Sequence, residues 1–266
     1  MRLSPDPMET HDTTRIALIS DAHISADRLG EVRGQNMAQN LERVVQQLLA
    51  ESPDAVIATG DESYRDGQPG DYEVFESILA PVRSAGILVH LMVGNHDNPA
   101  NMRSPIQEAT TVEIGGLRCI LTNTQINIET SPGRFGELQL QQIEALANEQ
   151  PDRPAIVIGH HQPELPRTDF APDIGLQDTP EFLDLLDRLP NLKAYVHGHT
   201  HSWSQAQTPG GKPIVNLPAA GFGFRFAPDR PMGWALATIS DQQLLVELKA
   251  LDPSHPEHGQ RVAIEL

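Results

Sequence analysis

Six short runs of mainly Ile, Val, Leu and Ala recur along the chain, at residues 15–20, 55–59, 88–93, 117–122, 155–158 and 194–196. Each is too short for a buried helix and shows little polar alternation, so each predicts a strand covered on both faces. Between them the apolar positions change period. Met37, Leu41, Val44, Val45, Leu48 and Leu49 recur at three- and four-residue steps, as do Tyr72, Phe75, Ile78, Leu79 and Val82. Both sets predict helices with one buried stripe. Leu138, Ile143 and Leu146 suggest a third helix. A fourth is expected to open with Thr179 as N-cap and Pro180 at its first position, burying Phe182, Leu185, Leu186 and Leu189. Strands alternating with helices predict a layered α/β architecture.

From Lys212 onward the pattern becomes strands separated by turns: "KPIVNLPA", "WALATI", "LLVELKA" and "RVAIEL". No Pro/Ser-rich or charged linker divides the chain, so these strands are expected to complete the same sheet system. The expected organisation is a polar N-terminal segment at 1–14, open to disorder, and one domain over 15–266. No internal repeat is visible. The stretches 98–116 and 162–178 have no clear period and are expected to be loops around a site.

Composition narrows the function classes. With 39% hydrophobic and 21% charged residues the 266-residue chain reads as an ordinary globule. No apolar run approaches the ~18 residues of a transmembrane helix. The N-terminus, "MRLSPDPMETHDTT", lacks the apolar core of a secretory signal, so a cytoplasmic location is expected, with no membrane partner. Cys119 is the only cysteine, in the apolar "LRCILT", which excludes an intrachain disulfide and a thiolate metal site. A metal would therefore be held by His and oxygen ligands. The 36 acidic and 19 basic residues give a formal charge of −17, which repels polyanions and makes nucleic acid a poor partner.

The chemistry sits where the apolar runs stop. They end in "SDAH", "TGDESY", "GNHD", "GHHQP" and "HGHTH", and seven of the eleven histidines occupy these ends: His23, His96, His160, His161, His197, His199 and His201. Any one of them alone reads more readily as a structural histidine or a polar turn. Five such clusters, each at the carboxyl end of an apolar run, point instead to ligand chemistry at a sheet edge. Imidazole with carboxylate suits zinc, iron or manganese, and a shared anionic oxygen suits a pair of divalent metals about 3.5–4 Å apart.

The ordered set D-x-H, G-D, G-N-H-D, G-H-H and G-H-x-H, from Asp21 to His201, resembles the calcineurin-like metallophosphoesterase superfamily. The resemblance implies a four-layer α/β/β/α sandwich, two mixed β-sheets flanked by helices, with a dinuclear metal centre between the sheets. It implies that Asp21, His23 and His201 hold one metal, that Asn95, His160 and His199 hold the other, and that Asp61 bridges them. It makes His96 a catalytic residue facing the phosphate and leaving group, with Asp97 orienting it. The implied cofactors are two divalent ions, manganese, zinc or iron. The implied activity is hydrolysis of small phosphate esters by a metal-activated hydroxide.

One position departs from the pattern. Many members carry Asp or Asn three residues after the bridging Asp, where this chain has Tyr64. A tyrosine there is similar to the purple acid phosphatases, where it ligates ferric iron, but those lack the histidine that this chain has at His23. Tyr64 is thus expected to stand behind the ligands or face the substrate. His161, next to a ligand candidate, is expected to point the other way and support the site. In "GFGFRF", residues 221–226, Arg225 is a candidate to reach a phosphate, with a tight phenylalanine-packed turn as the alternative. His197 is expected to pack. Broad phosphatase or phosphodiesterase activity is the first expectation. A cyclic-nucleotide or glycerophosphodiester phosphodiesterase is the alternative, since the third-motif spacing resembles bacterial members of that kind. A non-catalytic scaffold would be marked by lost ligand positions, and a nuclease by a basic groove; neither mark is visible.

Overall fold

The computed structural model describes residues 13–128, 130–163, 174–224, 227–240 and 242–266. The expected polar segment at 1–14 lies almost wholly outside these residues, as do Arg225 and Phe226. In chain order the elements are β1 (Thr14–Ile19), β2 (Glu31–Val32), β3 (Gln35–Asn36), α1 (Met37–Glu51), β4 (Ala55–Ala58), α2 (Pro69–Ser84) and β5 (Leu88–Leu91). Then come β6 (Thr110–Ile114), β7 (Leu117–Leu121), α3 (Gly136–Glu149), β8 (Ala155–Ile158), α4 (Thr179–Arg188) and β9 (Leu192–His197). The chain closes with β10 (Ser204–Gln207), β11 (Pro213–Asn216), β12 (Gly233–Ile239), β13 (Gln243–Ala250) and β14 (Arg261–Glu265).

The strands form two six-stranded sheets, ordered β14-β13-β12-β1-β4-β5 and β10-β11-β9-β8-β7-β6, with β2 and β3 paired separately. β1, β4 and β5 are parallel in the first sheet and β7, β8, β9 and β11 in the second; antiparallel strands complete both. The two-residue side-chain period then decides the layers. Ile16 and Leu18 of β1, Ala55 and Ile57 of β4, Ile156 and Ile158 of β8, and Ala194 and Val196 of β9 meet between the sheets. Their alternates Ala17, Ile19, Val56 and Ala58 pack under α1 and α2. Ala155, Val157, Leu192 and Tyr195 pack under α3 and α4. The result is the expected α/β/β/α sandwich, in which each fully buried Ile or Leu contributes about 1.5–3 kcal/mol. Cys119 lies in β7 between the sheets, and burial pushes its thiol up to about 12.

Three details differ from the sequence reading. The run 88–93 reads as buried on both faces, but β5 is an edge strand and its Leu88 is 65% exposed. Leu138 of α3 is 71% exposed, because the buried stripe runs through Ile143 and Ala147 instead. Thr179 is inside α4; Asp178 holds the N-cap position, while the Thr179 hydroxyl donates to Leu176 O at 2.7 Å. Among the described residues, no helix is long and apolar enough to cross a membrane.

Candidate dinuclear metal centre

The motif residues follow β1, β4, β5, β8 and β9, strands that run parallel within their sheets, so all five turns reach the same edge of the sandwich. The backbone there is unusual. Asp21, His23, Asp61, His199 and His201 have φ of 53°, 47°, 56°, 70° and 48°, the left-handed region that costs a non-glycine residue about 1 kcal/mol. The turns hold one another in this state. Asp21 N donates to Gly60 O at 3.0 Å, His23 N to Asp61 O at 2.9 Å, and His199 N to Asp21 Oδ2 at 3.0 Å. Among the described residues only Arg33, Ser52 and Ser104 are other non-glycine residues with such a φ, so five of the eight are candidate ligands, a concentration of strain that marks a functional edge.

Four overlapping groups have their ligand atoms within 4.8 Å of one another: Asp21, His23 and His201; Asp21, Asp61 and His160; His23, Asp61 and His96; and His160, His161 and His199. Asp61 belongs to two of them. All these residues are buried except His96, which is half-buried.

Hydrogen bonds fix the imidazole tautomers. A carbonyl only accepts, so Nδ1–H donates from His23 to Ser63 O at 3.3 Å, from His160 to Thr59 O at 3.1 Å, and from His201 to Phe222 O at 2.7 Å. In each ring, when neutral, Nε2 is left with its lone pair toward the centre, the arrangement that orients metal-ligating histidines. His23 Nε2 and His201 Nε2 then face each other at 2.9 Å with no proton to share, a contact that repels unless a cation accepts both lone pairs. Asp21 Oδ1, Asn95 Oδ1, His160 Nε2 and His199 Nε2 are also buried without a hydrogen-bond partner. Buried polar atoms are rarely left so. Together these atoms fit divalent cations.

Electrostatics agree with that fit. Burial lowers the pKa of His23 and His201 and takes His199 down to about 3, so these rings are neutral, as ligands must be. His160 is the exception: burial opposes its charge, yet Asp61 beside it, with Oδ2 3.4 Å from Nε2, lifts it to about 9, so a bound cation would have to displace its Nε2 proton. Burial works against the Asp61 carboxylate too, but His160 and His23 hold it well below the usual range.

Several assignments change on inspection. Asp97 does not orient His96. Its Oδ2 accepts from the backbone of Asp61 at 2.7 Å and Gly94 at 2.9 Å, and its Oδ1 from Ser63 N and Tyr72 Oη, each at 3.1 Å. It therefore ties the second motif to the third, while His96 is held by its own N–H to Asp61 Oδ1 and by Nδ1–H to Arg65 O, each at 2.8 Å. His161 does not turn away. Its Nδ1 meets Thr124 Oγ1 at 2.7 Å, and its Nε2 is buried without a partner beside His160 and His199. Tyr64 sets its ring edge against Phe222 at 6.4 Å, with the Arg65 guanidinium 5.1 Å over it. Arg225 lies outside the described residues, but Phe222 and Phe224 form a wall: Phe224 stacks on His201 at 4.4 Å. His197 packs on Tyr195 as expected, at 5.5 Å.

Glu62 and Thr124 escaped the sequence reading. Glu62 is 2% exposed, with neither carboxyl oxygen bonded, and burial together with Asp97 raises its pKa well above the carboxylate range. In the sequence it looks like any acidic turn residue. Thr124 follows an apolar strand by three positions, and nothing but its contact with His161 distinguishes it.

A sandwich with this edge is that of a phosphoesterase. The chain belongs to the calcineurin-like phosphoesterases, matching that family over residues 14–203. It is 30% identical over 202 residues to the 3′,5′-cyclic adenosine monophosphate phosphodiesterase CpdA of Pseudomonas aeruginosa, covering 72% of this chain and 71% of that one. It is 29% identical over 227 residues to a probable cyclic nucleotide phosphodiesterase of Synechococcus, covering 84% and 86%. In fold it is similar to a dimetal phosphatase from Danio rerio, with a TM-score of 0.72 at 15% identity, covering 95% of this chain and 98% of that one. A purple acid phosphatase from yellow lupin has a TM-score of 0.71 at 16% identity, covering 94% and 53%. The chain is thus a phosphoester hydrolase of a dinuclear-metal-dependent family.

Proposed function

We propose that residues 15–266 act as one catalytic domain that hydrolyses small phosphodiesters, cyclic nucleotides foremost, in the cytoplasm. The observation that carries the metal assignment is the set of buried, unpartnered Nε2 and Oδ1 atoms on either side of Asp61. Asp21, His23 and His201 would hold one cation and Asn95, His160 and His199 the other, with Asp61 shared. The identity of the relatives at about 30% supports the cyclic-nucleotide preference over a broad monoesterase.

Divalent cations bound there supply Lewis-acid charge to the phosphoryl oxygens and activate water near neutral pH. The chain's own part is positioning and proton transfer. Because Arg65 O takes the Nδ1–H of His96, Nε2 is the atom that delivers a proton to the departing alkoxide. The backbone bond from His96 to Asp61 Oδ1 registers that proton donor against the shared carboxylate. Asp97 keeps both turns in place, and Phe222 and Phe224 screen the His23–His201 side from water.

The test is metal analysis of the purified protein followed by assays with 3′,5′-cyclic AMP and p-nitrophenyl phosphate. Two divalent ions per chain, hydrolysis of the cyclic diester, and its loss on chelation are expected. Full activity in a demonstrably metal-free preparation, or turnover of the monoester alone, would overturn the reading.

A further inference from the structure

A groove of about 390 Å³ opens beside the aromatic wall, lined among others by Phe224, Arg33, Arg43, Arg230, His255 and Asp252. Three arginines and a histidine line it with a single carboxylate, in a chain with 36 acidic and 19 basic residues; the Arg43 guanidinium donates to Leu251 O at 2.8 Å and His255 Nε2 meets Asp229 O at 3.0 Å. Most arginines elsewhere are spent on carboxylates, as Arg28, Arg83, Arg118, Arg153, Arg188 and Arg261 show. Arg33 is not. Among the described residues no carboxylate lies within ion-pair distance of it, and its guanidinium instead sits 5.1 Å over Phe222 and 4.8 Å over Phe224.

The backbone makes this placement deliberate. Arg33 and Gly34 are the two central residues of the β2–β3 hairpin, with φ of 58° and 77°. A two-residue turn with both φ positive favours Asn, Asp or Gly at its first position, where an arginine is strained. The molecule accepts that strain and gains a guanidinium pre-stacked on two rings. Phe224 is at the same time stacked on His201, at 4.4 Å and 23°. A single aromatic ring therefore separates the free charge of Arg33 from a candidate metal ligand. With one face of Phe224 against His201 and the guanidinium over the ring, the wall is poorly placed to stack a nucleobase and well placed to present charge.

We propose that this groove receives a second, terminal phosphate of a diester substrate. Linear dinucleotides phosphorylated at the far end are then a substrate class beside cyclic nucleotides, which carry only the scissile phosphate. The inference rests on the phosphodiesterase reading for the place of the scissile group. A guanidinium suits the second phosphate because its planar fork binds two oxygens at once.

Calorimetry on the metal-loaded protein tests this without turnover. The probes are a thymidine dinucleotide with a non-hydrolysable methylphosphonate link, with and without a 5′-phosphate. The phosphorylated probe should bind about tenfold tighter or better. In Arg33→Asn, where the new side chain suits the left-handed turn, the two probes should bind about equally, and Arg230→Ala should narrow the gap; thermal melting checks that both variants fold. Equal binding of the probes by the wild type, no binding of the phosphorylated one, or an advantage that survives Arg33→Asn because the phosphate sits on the metals, would each overturn the proposal. Inactivity toward cyclic AMP would refute the cyclic-nucleotide reading yet leave this binding result standing.

Discussion

Asn95 and His96 are neighbours after one strand, and their surroundings give them different work. Asn95 Oδ1 is buried and unbonded, whereas His96 is half-buried and held at Nδ1 by a carbonyl. Replacing His96 with Asn should leave both metals bound and slow turnover by about a hundred- to ten-thousand-fold, the range for loss of a general acid. The loss should be large for an alkyl diester, whose alkoxide needs a proton, and small for bis(p-nitrophenyl) phosphate, whose leaving group does not. Equal loss on both substrates, with metal content at the wild-type level, would assign His96 to charge binding instead. At this scale the sequence is readable only in part. The seven ligand candidates stand out because residue type and spacing carry them. The roles of Asp97, His161 and Glu62 depend on where side chains point beyond the strand end, where the two-residue alternation no longer holds.

At the scale of elements, the site is a property of how turns fit against each other. Gly94 has an ordinary φ, so its need is for room: a Cβ there would meet Asp61 Oδ1 at 2.2 Å and Asp61 N at 2.3 Å. Asp61 cannot retreat, since its backbone is already bonded to Asp97 and His23. Gly94→Ala should therefore lower activity by roughly a hundredfold, the effect of an ångström's misplacement in a site. Metal content should fall while the circular dichroism of the sheets persists; normal metal binding and turnover would show that the two turns are not tightly registered. The main strands and α1 and α2 are legible because they are long or strongly periodic. The β2–β3 hairpin, β6 and β10 are not, being short and rich in polar residues. They form because neighbouring strands offer them hydrogen bonds, a tertiary cause invisible to local pattern.

At the scale of the whole molecule, the candidate ligands divide between the two sheets. Asp21, His23, Asp61 and Asn95 follow strands of the first, and His160, His199 and His201 follow strands of the second. Cations held there would cross-link the layers, so chelation should lower the melting temperature, by mass action about 2.7 kcal/mol for a site filled at a hundred times its Kd. The chelated protein should also acquire a pH dependence of known sign. Its buried Asp61 is then balanced mainly by protonated His160, whose pKa is raised from 6.5 to about 9. A raised pKa gives stability that is complete below 6.5 and lost as pH climbs through about 9. His23, His199 and His201, with lowered pKa values, change stability only below pH 6.5, and the depressed Asp61 only in acid, so neither masks the effect. Burial raises the pKa of Glu62, so it too gives stability that is lost with rising pH, and Glu62→Gln removes that contribution. The gap in melting temperature between loaded and chelated protein should widen from pH 6.5 to 9. Asp61→Asn removes the partner that raises His160 and the shared carboxylate together, so in that variant both the gap and its pH dependence should shrink. A gap that stays constant across this range in the wild type would mean that Asp61 and His160 do not form the charge pair at the join between the sheets.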